Sequence, residues 1–305
     1  MSTDPLPLGQ RLVDEELLKL ERDVQIGRSI QLGFLPVSLP QPRGWELAAR
    51  FQPAREVAGD FYDAFEMTNG RRLGFVIADV CDKGVGAALF MALFRTLIRS
   101  NAQQNTSLGW MDPKASSVTE SADWLKGDPK ERRQSLPSIG TGALMHAVSG
   151  TNDYIADNHM DQGYFATLFM GVLDPSNGSL IYINGGHNPP VLLRADGTRE
   201  VLKPTGPAVG MFAGATFTIA QARLRPGDVL FAFTDGVTDA RSPSEEFWGM
   251  GRLHQHLEGG VASAEALVAT IANDLNAHIG AAAQFDDITM LALRRRAPSE
   301  VEPAP

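Results

Sequence analysis

The stretch "LGFVIADVCDKGVGAALFMALFRTLIRS", Leu73 to Ser100, passes from one apolar run through a short acidic, glycine-containing turn into a second apolar run. It reads as a buried strand, a tight turn and a buried helix, with Asp79 and Asp82 at the handover. A carboxylate there needs a reason, because burying a charge costs several kcal/mol unless a partner neutralises it.

Short strand-like runs surround this unit: "WELAARFQ", "DFYDAFEM", "RRLGFVIADV", "YFATLFMGVLD", "SLIYIN", "PPVLLR", "DVLFAFTD" and "DITMLALR". Asn69-Gly70, Asn177-Gly178 and Asp196-Gly197 fall in gaps between them, and such pairs accept the positive φ that hairpin turns require. Antiparallel sheet is therefore expected. Helical patterns fill Gly84–Asn101, Gly140–Asp157, Ser244–Leu257 and Ser263–Ile279, the last opened by Ser263 as its cap. Strands come in blocks rather than in strict alternation with helices, which predicts an α+β fold.

Near the N-terminus, Val13, Leu17, Leu20 and Val24 recur at spacings of 4, 3 and 4, one stripe of a helix. Both a coiled-coil seam in a homodimer and docking on the main domain satisfy that stripe. "LPVSLPQPRG" then breaks the helix. The organisation expected is residues 1–44 as helix and Pro-rich linker, 45–296 as one domain, and 297–305 as a disordered tail. A polar segment at about 103–138 reads as an insertion in that domain.

The chain has 305 residues, 43% of them hydrophobic, and a formal net charge of -9. The acidic balance, with no basic tract beyond Arg294–Arg296, argues against a nucleic-acid partner. A single cysteine, Cys81, excludes an intramolecular disulfide and a Cys-rich zinc site. The charged N-terminus and the lack of about 18 uninterrupted apolar residues give a soluble, cytoplasmic protein with no membrane partner as the expectation.

Asp60, Asp79, Asp235 and Asp286 each stand at the end of a strand-like run. One such aspartate is ordinarily a turn cap. Four suggest a cation site, and oxygen-only ligation selects Mg²⁺ or Mn²⁺ over zinc, since the six histidines show no paired metal-ligand spacing. Spacing alone does not bring them together in space.

"GDFYD" (59–63), "ADVCDKGVGAAL" (78–89), "YFATLFMGVLD" (164–174), "GGHNPP" (185–190), "FTDGVTDA" (233–240) and "FDDIT" (285–289) together resemble the SpoIIE/RsbU branch of the PPM-type metal-dependent protein serine/threonine phosphatases. The upstream "RDVQIGRSIQLGFLP" resembles the helix and LP element that precede that domain. The resemblance implies a β-sandwich of two antiparallel sheets flanked by α-helices, with an N-terminal helical extension and a binuclear Mn²⁺ or Mg²⁺ centre. It implies that Asp60 bridges both ions, that Asp79 and the carbonyl of Val80 bind one, and that Asp235 and Asp286 complete the set. The activity implied is hydrolysis of phosphoserine and phosphothreonine by attack of a metal-bridging water. The substrate implied is a regulatory protein, typically a STAS-type anti-sigma-factor antagonist in bacterial partner switching. The alternative is a catalytically weak or inactive interaction module on the same fold.

By the same resemblance Arg55 is a phosphate-binding candidate. Cys81 stands where relatives outside the branch carry a histidine, so no side-chain general acid is expected from it. Relatives commonly have asparagine at the position of Asp287, which implies that an amide suffices there. His187 and Thr167 read as supporting residues, Asp82 as a turn residue or cap, and Gly84 and Gly86 as the means of a close turn.

Overall fold

The computed structural model describes residues 8–104, 140–258 and 261–301, with the side chains of residues 8–13 excepted. The polar segment from residue 105 onward therefore lies outside the described residues. Two five-stranded antiparallel sheets stack face to face. One has the order β1 (Trp45–Gln52), β10 (Ile288–Arg295), β9 (Val229–Phe233), β6 (Val191–Leu193), β7 (Arg199–Val201). The other has the order β2 (Phe61–Met67), β3 (Arg72–Val80), β4 (Ala166–Leu173), β5 (Ser179–Gly185), β8 (Ala220–Arg223).

Period-two alternation decides what each strand contributes. On β3, Leu73, Phe75 and Ile77 face the other sheet and meet Leu230, Leu291 and Leu293 there. The intervening Val76 and Ala78 face outward, against Met91, Phe94 and Ile98 of helix α2 (Val85–Gln104) and Leu144 of helix α3 (Thr141–His159). On the opposite flank, Phe231 and Met290 pack under Leu267, Ile271 and Leu275 of helix α6 (Ala264–Ile279). Both faces of each central strand are buried, which is why these strands read as continuous apolar runs. The second aspartate of "GDFYD", Asp63, points outward with Phe61 and Phe65. Its fully buried carboxylate pins α2 through Arg95 (2.9 Å) and Arg99 (3.0 Å).

The three hairpin dipeptides turn where expected, with Asn69 and Gly70 both at positive φ between β2 and β3. Ser263 caps α6 by accepting from the Ala266 amide at 3.0 Å. The third helical pattern is shorter than its sequence suggested. Arg241 bridges Phe247 and Glu245 turns at φ 63, so helix α5 covers only Gly249–His256. The tail is also less loose than expected: Pro298–Glu300 forms a single 3-10 turn, held by an Arg294–Glu300 ion pair of 2.8 Å.

Helix α1 (Leu8–Phe34) is long, and one face of it meets the domain. Gln25 and Arg28 bond Glu56, and Gln31 is buried against Ala58. Leu17 and Leu20 continue that same face at helical spacing but run past the edge of the domain and are exposed. No helix among the described residues is long and apolar enough to cross a membrane.

Candidate active site

The alternation that builds the sandwich core also builds the site. Asp79 continues the inward set Leu73, Phe75, Ile77 to the last turn of β3. Asp60, one residue before β2, and Thr234 and Thr289, on and beside β9 and β10, take inward positions at the same end. Asp60 is buried, and its Oδ2 accepts from Thr234 Oγ1 at 2.8 Å and from Thr289 Oγ1 at 2.5 Å. Asp235 opens the short helix α4 (Asp235–Thr238) directly after Thr234. Asp286 lies in the loop before β10 and pairs with Lys83 at 2.8 Å.

Close backbone approach tightens this end. A side chain on Gly59 would stand 2.7 Å from the carbonyl oxygen of Val80, and one on Gly236 would stand 1.9 Å from that of Asp287. Gly84 turns at φ 89, as the sequence suggested. Gly86 has another reason, because it already lies in α2 and the Tyr164 hydroxyl occupies the space its side chain would need.

Burial and like charges push three of these carboxyls upward. Burial, then Asp79 and Asp287, push the Asp60 carboxyl well above the usual carboxylate range. Burial, then Asp235, Asp286 and Asp287, raise Asp79 to about 7, and its carboxyl is within hydrogen-bonding reach of Asp60. Asp235 is raised by burial and by Asp286. Among the described residues Lys83 lies beside them, forming an ion pair with Asp286 and acting on Asp235 electrostatically. The donor set is all oxygen and carries excess negative charge, so it fits a hard dication in type and charge. As the side chains stand, no three His, Cys, Asp or Glu among the described residues form a group that could hold an ion.

Asp287 has a role that sequence reading missed. It is buried, and its two carboxylate oxygens accept from the Ala54 amide at 2.7 Å and the Gly59 amide at 2.9 Å. It thereby clamps both ends of the loop that carries Arg55 into Asp60. The doubled "DD" of "FDDIT" was the available signal. Arg55 is exposed on that loop, with Nη1 beside Gly84, and forms no ion pair or hydrogen bond among the described residues.

The remaining candidates are supports. His187 is buried, burial lowers its pKa to about 4, and its Nδ1 shares a 2.9 Å hydrogen bond with Thr167 Oγ1. Its amide donates to Asn184 Oδ1 at 2.8 Å, which orders the "GGHNPP" turn. Thr167 sits opposite Asp79 in the β3–β4 register. Cys81 accepts from the Phe165 amide at 3.3 Å, and burial pushes its thiol up, so it holds the turn rather than offering an acidic proton. Asp82 is exposed at φ 70, and its carboxylate accepts from the Lys83 amide within the turn.

The sequence profile of the family described as Stage II sporulation protein E (SpoIIE) matches residues 69–296. Protein IcfG of Synechocystis sp. is 46% identical over 273 residues, an alignment covering 90% of this chain and 41% of IcfG. The chain thus spans about two fifths of that relative's length. Phosphoserine phosphatase RsbU of Bacillus subtilis is 23% identical over 280 residues, covering 91% of this chain and 71% of RsbU. Among solved structures, the SiaA-PP2C domain of Pseudomonas aeruginosa superposes with a TM-score of 0.69 at 17% identity, over 92% of this chain and 98% of that one. The catalytic domain of the serine/threonine phosphatase PstP, solved with 2 manganese ions, superposes with a TM-score of 0.52 at 16% identity, over 82% and 97%. At those identities the structures speak to the fold.

Proposed function

We propose that this chain, which belongs to the SpoIIE family and has the PP2C-type serine/threonine phosphatase fold, is a Mn²⁺- or Mg²⁺-dependent hydrolase of phosphoserine and phosphothreonine on a regulatory protein. The observation that carries this reading is the inward-facing carboxylate cluster at one end of the sandwich. Asp60 and Asp79 enter from one sheet, Asp235 and Asp286 from the other, and each raised pKa among them registers the negative charge of its neighbours. A bound pair of divalent ions would supply activation of the attacking water and neutralise charge on the phosphoryl oxygens.

The chain's own residues do the rest in this reading. Asp60, Asp79, the carbonyl of Val80, Asp235 and Asp286 are the ligand set. Thr234 and Thr289 hold the Asp60 carboxylate in place by donating to the same oxygen. Arg55, whose guanidinium forms no ion pair or hydrogen bond among the described residues, holds the substrate phosphate in this reading. Cys81 offers no acidic proton to the leaving group in this reading, since its thiol is already turned to the backbone.

The substrate in this reading is a phosphorylated STAS-type anti-sigma-factor antagonist, and the setting is cytoplasmic partner switching. Similarity to RsbU, named a phosphoserine phosphatase, supports the phosphoserine part. The overhanging face of α1, with Leu17 and Leu20 exposed, supports a homodimer through that helix.

The test is phosphate release from phosphoserine and phosphothreonine peptides and from a phosphorylated STAS protein, with Mn²⁺, Mg²⁺ or chelator. Release that needs the dication and is lost in Asp60→Asn is the expected result. A folded protein that binds the STAS protein without turnover would mean the fold serves as an interaction module.

A further inference from the structure

At the end of the sandwich opposite the carboxylates, four arginines converge. The strand registers put them there: Leu193, just before Arg194, pairs with Val229, Arg223 pairs with Ser179, and Arg295 pairs with Trp45. Arg194, Arg223, Arg225 and Arg295, with Pro226, bound a cavity of about 220 Å³.

Nearby carboxylates are already used. Asp228 is buried, and it accepts from the Ala195 amide (3.0 Å), the Arg225 amide (2.8 Å) and Arg194 Nη1 (2.8 Å). Glu200 pairs with Arg194 as well. Asp196 is within electrostatic reach of Arg225 and Arg194, but its carboxylate accepts from Thr198. Arg223, Arg225 and Arg295 therefore form no ion pair among the described residues. Arg223 keeps only a long bond of 3.4 Å to the Asn177 carbonyl, and the Arg225 side chain has no hydrogen bond there.

Arg295 is fixed in place. Its Nη1 donates to the carbonyls of Asn177 and Leu224, both at 2.8 Å, and its guanidinium lies over the Trp45 ring. Gly178 allows this, since a side chain there would stand 2.4 Å from that nitrogen. Burial, then the neighbouring Arg223, lower the pKa of Arg295, the mark of like charges held together. In a chain of net charge -9, these three guanidiniums around one cavity form no ion pair among the described residues, and Asp228 and Asp196, which act electrostatically on Arg295 and Arg225, are already committed to other donors. Guanidinium forks match phosphate oxygens in geometry and charge. The volume is below the roughly 300–1,000 Å³ that encloses a whole drug-sized ligand, so it suits a charged group whose remainder stays outside.

We propose that this cavity binds the diphosphate or polyphosphate group of a small molecule, such as a nucleoside di- or triphosphate, through Arg223, Arg225 and Arg295. The site is independent of the phosphatase reading, because it lies at the far end of every central strand from the aspartates.

The experiment is calorimetric titration of the full chain with pyrophosphate, ADP and adenosine at constant ionic strength. Chelator is present so that no dication recruits anions to the carboxylate end. Pyrophosphate and ADP should bind and adenosine should not, with affinity falling at least about tenfold in Arg223→Ser/Arg225→Ser. ADP binding tighter than pyrophosphate identifies a nucleotide as the ligand class, and equal binding identifies the free diphosphate group. If the double variant does not fold, Arg225→Ser alone, which removes no hydrogen bond, should weaken both probes severalfold. Binding that is equal in native and variant proteins, or no binding tighter than about a millimolar, overturns the assignment.

Discussion

Gln31 brackets the peptide unit of Ala58: its Nε2 donates to the Ala58 carbonyl at 2.7 Å, and its Oε1 accepts from the Ala58 amide at 3.0 Å. Both partners are buried, and Ala58 stands two residues before Asp60. Gln31→Ala would leave a buried donor and a buried acceptor unpaired, a loss of about 2–4 kcal/mol. Urea denaturation should show a lowered midpoint at unchanged slope, and dication-dependent turnover should fall with it because the loop also carries Arg55. An unchanged midpoint would show that α1 is not held by this contact.

Asp286 and Asp287 are adjacent and do opposite things. Asp287→Asn places an amide NH₂ against a peptide N–H of Ala54 or Gly59, so one hydrogen bond is lost and two donors face each other. The expected cost is about 1–3 kcal/mol of stability, contrary to the sequence-based expectation that an amide suffices. Asp286→Asn gives up a half-exposed ion pair with Lys83 and a repulsive charge, and its stability should change by less than about 1 kcal/mol. It should instead weaken Mn²⁺ binding. Parallel melts and Mn²⁺ titrations check the ranking, and equal stability of the two variants would contradict the clamp assigned to Asp287.

Asp79 makes the chelated protein less stable as pH rises. Its folded pKa, about 7, lies above the ordinary value of 3.8. Between those values the folded state keeps a proton that the unfolded chain has lost, so stability falls through the window and is flat above it. His187 works against this, because its folded pKa of about 4 lies below 6.5 and its contribution is lost as pH falls through that interval. The clean measurement is the stability difference between Asp79→Asn and the native chain in chelator. That difference should grow in favour of the variant from about pH 4 to 7 and then level off. A difference independent of pH would mean that Asp79 is ionised throughout.

Leu17 and Leu20 lie on the face of α1 that further along meets the domain. Replacing both with Glu should leave the domain's melting temperature unchanged while dissociating any dimer formed through that overhang. Light scattering decides it, and a native chain that is monomeric at working concentration would remove the dimer from the reading.

The sandwich was legible because its central strands carry dense apolar runs and its hairpins carry paired turn residues. Arg199–Val201 and Ala220–Arg223 escaped notice because short strands at the sheet edges, where alternating or all positions are exposed, leave no hydrophobic signal. Asp60, Asp79, Asp235 and Asp286 could be picked out from their place at strand ends and from the motifs. The doubled "DD" marked Asp287 without showing what it clamps, since its partners Ala54 and Gly59 are more than two hundred residues away and a hydrogen-bond acceptor leaves no periodic trace. The arginine cavity was hidden for the same reason, as its members come from three separate strand ends.

The division of the aspartates between the two sheets has a consequence for how the molecule could be taken apart. Any cut of the chain between Val80 and Phe233 leaves Asp60 and Asp79 on one fragment and Asp235 and Asp286 on the other. The fragment that carries β9 and β10 never holds its whole sheet, because β1 from the N-terminal fragment completes it. The two halves are therefore natural reporters of each other: hydrolysis could return only when the fragments meet and rebuild both layers in register.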